Sequence, residues 1–296
     1  MAIIIDGNAL SKKIKDNLRV ETDALFDKTN KRPCLAVVLV GENPASHIYV
    51  ASKEKACHHS GILSKSYKVE NMKETELEEL ILKLNQDPEI NGILVQLPLP
   101  EGLNEEKIID LIDPIKDVDG FHPYNTGKLW INLKPYFFPC TPWGIYELIK
   151  EYKIDLSGKE VVVLGRSNIV GKPIAGILLQ KFPYADATVT VCHSRTKNLE
   201  EHLKRADVIV AAIGKPEFVK EEWVKQGAVI IDVGINRVAD ETSPKGYRVT
   251  GDVDFQTVEK KASYITPVPG GVGAMTIAVL LQNTVKAFKI QNGMKD

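Results

Sequence analysis

The chain predicts an α/β protein of two domains, an N-terminal three-layer α/β domain and a Rossmann-type dinucleotide-binding domain. Three observations carry that expectation. Its 296 residues suffice for two cores of ordinary size. Short apolar runs alternate with stripes of helical period, the pattern of a parallel sheet covered on both faces. A glycine-rich turn stands between a strand and a helix at residues 165–173, the context in which a backbone approaches a pyrophosphate.

Taken in order, residues 3–5 read as a short strand, and Leu10, Ile14 and Leu18 mark a helix to about Asp27 that Pro33 stops. A buried strand at 35–40 and the turn Gly41-Glu42-Asn43-Pro44 lead into a helix ending near Gly61. Its Tyr49 and Lys53, at i and i+4, share one face. A phenol and an amine so placed handle protons together if the amine is partly desolvated, because burial disfavours the ammonium form; the plainer reading is a half-buried packing pair. A strand at 63–69, a helical stripe of Leu77, Leu80, Ile81 and Leu84, and a strand at 93–96 follow. Gln96 closes that strand, with Val95 before it and the proline-interrupted Leu97-Pro98-Leu99-Pro100 after it. Ligands of open α/β sheets bind beyond the carboxyl ends of strands, so Gln96 is either a group facing that space or an amide anchoring its own loop.

A helix at 105–111 leads into the run from Lys116 to Gly127, dense in turn formers yet carrying Phe121 and Tyr124. Asp119 there either accepts paired N–H groups from a heterocycle or forms an Asx turn closed by Gly120, and His122 before Pro123 reads as structural. The proline-rich stretch 135–142 marks a domain boundary, with Pro142 opening a helix to about Tyr152; Cys140 lacks a neighbouring histidine and reads as packing.

In the second domain a strand at 160–164 runs into Gly165-Arg166-Ser167-Asn168-Ile169-Val170-Gly171-Lys172-Pro173 and a helix. Ser167 takes the place of the middle glycine of the usual spacing, so the pattern also suits any glycine-rich βα turn. The next strand, 188–192, ends in His193-Ser194-Arg195-Thr196. With Arg166 these offer guanidinium and hydroxyl donors and no carboxylate, which favours a 2′-phosphate and so NADP over NAD; otherwise Arg195 and Lys197 merely solvate a loop. Gly214 and Ile235 follow two further strands, where small residues suit close approach of a ribose or nicotinamide. A second glycine-rich turn, 265–276, opens a final helix to about Lys289.

With 38 basic and 39 acidic residues there is no net field for nucleic acid or an anionic membrane. Cys34, Cys57, Cys140 and Cys192 are too scattered for a disulfide framework or a zinc site and fit a reducing compartment; no metal site is expected. Without a basic lead-in, a cleavage site or 18 uninterrupted apolar residues, the expectation is a soluble cytoplasmic protein.

Six ordered motifs, Tyr49-Val50-Ala51-Ser52-Lys53, Gln96-Leu97-Pro98-Leu99-Pro100, Lys116-Asp117-Val118-Asp119-Gly120-Phe121, Pro139-Cys140-Thr141-Pro142, the turn 165–173 and Pro267-Val268-Pro269-Gly270-Gly271-Val272-Gly273, together resemble the bifunctional methylenetetrahydrofolate dehydrogenase/methenyltetrahydrofolate cyclohydrolase family almost end to end. The resemblance implies a one-carbon enzyme that oxidises 5,10-methylenetetrahydrofolate with NADP and hydrolyses 5,10-methenyltetrahydrofolate to the 10-formyl derivative, both in one deep cleft between the domains. By that likeness the catalytic residues are Lys53 for protons, Gln96 as its hydrogen-bonding partner, Tyr49 as an orienting ring and Asp119 as anchor of the pterin. Val95, Leu97, Pro269, Gly270 and Gly273 complete the folate contacts. Gly165, Arg166, Ser167, Ile169, Val170, Gly171, Pro173, His193, Ser194, Arg195, Thr196, Gly214 and Ile235 hold the cofactor. The likeness also implies a catalytic domain of residues 1–138 completed by helix 275–296, a cofactor domain of 139–274, and a homodimer through the cofactor domains. Ala274 departs from the proline usual there, which relaxes the backbone beside the folate and nicotinamide.

Overall fold

The structure is a computed structural model describing residues 1–243 and 246–294. In chain order the first half comprises β1 (Ile3–Ile4), α1 (Gly7–Thr29), β2 (Cys34–Val40), α2 (Pro44–His59), β3 (Leu63–Val69), α3 (Glu74–Gln86), β4 (Gly92–Val95), α4 (Glu105–Asp110) and α5 (Pro123–Trp130). The second half comprises α6 (Cys140–Glu151), β5 (Glu160–Leu164), α7 (Gly171–Leu178), β6 (Thr188–Cys192), α8 (Leu199–Arg205), β7 (Val208–Ala211), β8 (Val229–Asp232), β9 (Asn236–Ala239), β10 (Tyr247–Thr250), α9 (Phe255–Val258), β11 (Tyr264–Ile265) and α10 (Val272–Gln291).

The chain divides into two compact units, 12–140 with 277–296 and 141–276 with 1–11. In the first, β3, β2 and β4 lie parallel in that order, with Ala36 opposite Lys65 on one side and Ile93 on the other. All seven residues of β2 are buried, as expected of a central parallel strand covered on both faces. Cys34, Ala36, Val38 and Val40 meet Leu77, Ile81 and Leu84 of α3 and Ile108 of α4, while α2 packs on β2 and β3. Each fully buried valine, leucine or isoleucine contributes about 1.5–3 kcal/mol of apolar burial, so the site at the strand ends rests on a stiff base. α10 belongs to this unit from Ile277 onward. Asn283 donates from Nδ2 to Val118 O at 2.8 Å, and Gln291 from Nε2 to Asn91 O at 2.8 Å.

The other unit holds a parallel sheet ordered β1-β11-β8-β7-β5-β6 and the hairpin β9–β10. Val162 and Leu164 of β5, Ile209 and Ala211 of β7 and Ile230 of β8 pack with Leu203 of α8 and Val258 of α9. The expected domain division places residues 3–5 with the first domain, but Ile3 pairs with Tyr264 in this sheet. A strand of two residues has no periodicity that shows which sheet it joins. Gly7 and Asn8, which open α1, lie against the last glycine-rich turn, where Asn8 N–H donates to Gly270 O at 3.0 Å. α5, α8, α9 and the β9–β10 hairpin are not among the expected elements; each is short and too weakly patterned to declare itself. Among the described residues no helix is long and apolar enough to cross a membrane, and no group of three or more His, Cys, Asp or Glu could hold a metal ion.

Candidate active site

α2 starts where the sequence places it. Asn43 accepts N–H bonds from Ala45 at 2.9 Å and Ser46 at 3.3 Å, and Pro44 occupies the first turn, where no intrahelical partner is lost. The buried positions of the helix are Ser46, Val50, Lys53 and Cys57, spaced i, i+4, i+7 and i+11. Lys53 therefore sits in the inward stripe, in the place of an apolar residue. Tyr49, one turn earlier, stays 41% exposed, so the two share an edge of the helix rather than a common burial.

Lys53 Nζ donates to Gln96 Oε1 at 2.9 Å. Gln96 directly follows β4, its backbone N–H reaches Val38 O at 2.8 Å, and its Nε2 donates to Leu97 O at 2.7 Å. That last bond is the loop anchor considered for Gln96, and it turns the amide so that its oxygen faces the amine. Burial pushes the Lys53 amine below the ordinary lysine value, opposed by the negative charge of Asp119 and more weakly by Cys140 and Cys57. Asp119 is pushed upward by burial, opposed by Lys53 and by the neighbouring Cys140 thiol. Amine and carboxylate thus form a pair in which desolvation favours the neutral form of each.

In place of the Asx turn considered for Asp119, the carboxylate that holds this turn is that of Asp117. Its Oδ1 accepts from the N–H groups of Gly120 and Phe121, each at 3.2 Å, and its Oδ2 from His122 N–H at 2.9 Å and Asn125 Nδ2 at 2.8 Å. Asp119 is left free to face the amine. His122 caps α5, its Nδ1 accepting Tyr124 N–H at 2.9 Å, in keeping with a structural reading. Cys140, read as packing, is fully buried but also donates to Val118 O at 3.3 Å. The signal for Asp117 is present in the sequence, since an aspartate three residues before a glycine in a turn-rich run competes equally for that role. Val95 and Leu97 put their side chains into or against the core over β2, and Leu97 O is already taken by the Gln96 amide.

In the other unit, Gly165 has φ +123°, and a Cβ there would lie 2.1 Å from Ala212 O. A Cβ on Gly171 would lie 2.2 Å from Gly165 O, so both glycines are required for the turn to close. Ser167 Oγ accepts from the N–H groups of Val170 at 3.2 Å and Gly171 at 3.3 Å, the work of a missing cap at the start of α7. Ile169 is exposed and Pro173 buried within α7, so Pro173 shapes the helix start. A cavity of about 330 Å³ opens here, lined by Arg166, Ser167, His193, Ser194 and Lys215 beside Leu199 and Phe218. No carboxylate lines it among the described residues.

Arg195 and Thr196 are not in that lining. Arg195 N–H donates to His193 Nδ1 at 3.1 Å and Thr196 Oγ1 accepts His193 N–H at 2.9 Å, which closes the loop and presents Ser194. Sequence reasoning missed Lys215; its signal is a cation directly after Gly214 at a strand end. It missed Asp252 too. The oxygens of Asp252 accept from Ile213 N–H at 2.7 Å, Gly214 and Lys215 N–H at 2.9 Å and Asn236 Nδ2 at 2.9 Å, which fixes the Gly214 loop. Ile235 is half exposed, and its Cδ1 lies 3.4 Å from where a Cβ on Gly273 would stand. Ala274 occupies the first turn of α10, where backbone N–H groups have no intrahelical acceptor, so alanine and proline suit the helix alike.

Residues 5–119 match the family described as tetrahydrofolate dehydrogenase/cyclohydrolase, catalytic domain, and residues 139–292 its NAD(P)-binding domain. The chain belongs to the tetrahydrofolate dehydrogenase/cyclohydrolase family. It is 56% identical over 295 residues, 99% of each chain, to the bifunctional protein FolD of Acetivibrio thermocellus. The crystal structure of the bifunctional FolD methylenetetrahydrofolate dehydrogenase/cyclohydrolase of Campylobacter jejuni matches with a TM-score of 0.92 at 49% identity, covering 98% of this chain and 99% of that one. The FolD of Trypanosoma brucei, solved with NADP cofactor and inhibitor, matches with a TM-score of 0.92 at 39% identity, covering 98% of each chain. Lys53, Gln96 and Asp119 thus lie in the part matched to the family's catalytic domain, and the Gly165 turn in the part matched to its NAD(P)-binding domain.

Proposed function

We propose that the chain carries both activities of its family: oxidation of 5,10-methylenetetrahydrofolate to 5,10-methenyltetrahydrofolate with NADP, and hydrolysis of that product to 10-formyltetrahydrofolate. The observation that carries the hydrolytic half is the buried Lys53 amine held at 2.9 Å by Gln96 Oε1, with its proton affinity lowered by burial. Attack of water on a cationic amidine-like carbon needs a group that accepts a proton from the water and then donates one to the departing ring nitrogen. Lys53 serves as that group. Gln96 aims the amine, the ring of Tyr49 stacks on and orients the substrate, and Asp119 binds the N–H groups of the pterin. Val95, Leu97, Pro269, Gly270 and Gly273 add contacts to the folate.

The residues at the Gly165 turn fit NADP. The glycines give the close backbone approach that a pyrophosphate requires, and Arg166, Ser194 and Lys215 supply cationic and hydroxyl partners for a 2′-phosphate. Held there, the cofactor would supply a nicotinamide able to take up a hydride from the folate methylene. This chain's part in that step is placement, by the turn 165–173, the loop 193–196, Gly214 and Ile235. The protein works as a homodimer through its cofactor domain, a reading supported by β6, an edge strand with Val191 exposed. Four buried, unpaired cysteines support a cytoplasmic setting.

Absorbance of the methenyl product, followed with either NADP or NAD for wild type and Lys53→Met, tests the assignment. Wild type is expected to prefer NADP, and the variant to lose hydrolysis by about a hundredfold to ten-thousandfold while still forming the methenyl compound. Undiminished hydrolysis in the variant would remove Lys53 from the reaction; a preference for NAD would remove the 2′-phosphate reading.

A further inference from the structure

The geometry points to Asp117 as a positioning residue for Asp119, its carboxylate holding the turn that leaves Asp119 free to bind folate. This rests on the reading of Asp119 as the folate-binding carboxylate. The segment carrying Asp119 is pinned on both sides. Ahead of it, Ile93 N–H donates to Lys116 O at 2.8 Å, and the Lys116 ammonium donates to Leu84 O at 3.0 Å and Asp87 O at 2.7 Å. Behind it, Gly120 takes φ +79°, and a Cβ there would stand 2.6 Å from the Phe138 carbonyl.

Between these points the chain must reverse, and the reversal exposes three successive amide N–H groups, those of residues 120–122, with no backbone acceptor of sheet or helix other than the turn itself. Asp117, 2% exposed, takes all three and the Asn125 amide as well. Four donors on two carboxylate oxygens saturate the group, so Asp117 has nothing left with which to bind a ligand. Asn125 ties this turn further outward, donating to Pro114 O at 3.1 Å and accepting Tyr136 N–H at 3.0 Å. Without Asp117, the Asp119 side chain would be the next acceptor within reach of the same amides. An Asp119 turned onto its own backbone would be lost to the substrate, so the two carboxylates divide one task between them.

The test uses the full chain and the KM for 5,10-methylenetetrahydrofolate at saturating NADP, with NADP binding followed by fluorescence as a check on the other unit. Asp117→Asn replaces an acceptor oxygen by an NH2 that faces two donors; the folate KM is expected to rise about tenfold while kcat changes less and NADP affinity stays within about twofold. Asp119→Asn is expected to raise the same KM, and Asp117→Asn combined with it to add nothing further, because the first substitution acts through the second residue. A general loosening of the fold would instead give additive losses. An unchanged folate KM in folded Asp117→Asn, or additivity in the double variant, overturns the inference while Asp119 keeps its role. A flat response to Asp119→Asn alone overturns that role and the inference with it. If Asp117→Asn fails to fold, Asn125→Ser, which removes one of the four donors, takes its place under the same two criteria with an expected rise of about threefold.

Discussion

Two pairs of aspartates, one in each unit, show what separates a structural carboxylate from one available for chemistry. Asp232 and Asp252 are both spent on donors. Asp232 accepts N–H bonds from Gly234, Asp252 and Val253, each at 2.9 Å, while Asp252 gathers the loop at 213–215. In the other pair, only Asp117 is spent in this way. Asp119 has the Cys140 thiol and the charge of a buried amine as its company, and among the described residues takes no backbone N–H. Asp117, Asp232 and Asp252 are buried and Asp119 half-buried; the number of fixed donors differs as well, and that number decides whether a carboxylate still has acceptor capacity for a ligand.

The sharpest way to break this comparison is to remove one carboxylate of each kind. Asp252→Ala leaves four donors in a buried turn without acceptors and is expected to lower stability by about 3 kcal/mol or more, read as a fall in the thermal midpoint. Asp119→Asn is expected to stay within about 1 kcal/mol of wild type, because no backbone group depends on it. Equal losses from the two would erase the distinction.

A smaller effect should emerge in the pH dependence of hydrolysis. The neutral Lys53 amine is the working form, so activity rises with pH through the lysine's lowered value. Asp119 holds that value up, so Asp119→Asn should move the acid limb of the profile to lower pH. A limb that moves to higher pH, or not at all, would mean that the carboxylate does not act on the amine.

A further effect of pH concerns Asp232. Burial raises its carboxyl to about 7 from an ordinary 3.8, so the folded state binds the proton more tightly than the unfolded chain. The stability this contributes is fully present below 3.8 and is lost as pH rises through about 7. Asp232→Asn should flatten the decline of the thermal midpoint between those values, and an unchanged slope would show that Asp232 titrates elsewhere. Asp117, also raised to about 7, leaves part of the slope in place.

Much of the site is legible in the amino-acid sequence. The strand at Leu63–Val69 and the helix carrying Lys53 follow from apolar period, proline and capping chemistry, all of which are local. Gln96 is placed by the rule that parallel sheets bind beyond their strand ends, and the Gly165 turn by its strand-to-helix context. The same local signals mislead at Asp117 and Asp119. Both aspartates precede Gly120 by a distance an Asx turn can span, and only the positions of the Gly120, Phe121 and His122 amides separate them. Asp252 is silent because the donors it collects lie 16 to 39 residues away along the chain.

Element types, the alternation that makes two parallel sheets, and the residue kinds able to move a proton or hold a dinucleotide all follow from the order of amino acids, since these depend on neighbours within a turn or a strand. Folding in three dimensions was needed to decide that residues 3 and 4 join the sheet of the cofactor unit and that Lys53 lies in the buried stripe of α2 with its amine on Gln96. It also decided that of two nearby aspartates one became frame and the other remained free. The physical reason is that desolvation and hydrogen-bond saturation are set by groups distant in sequence, and no local pattern records which of them arrive.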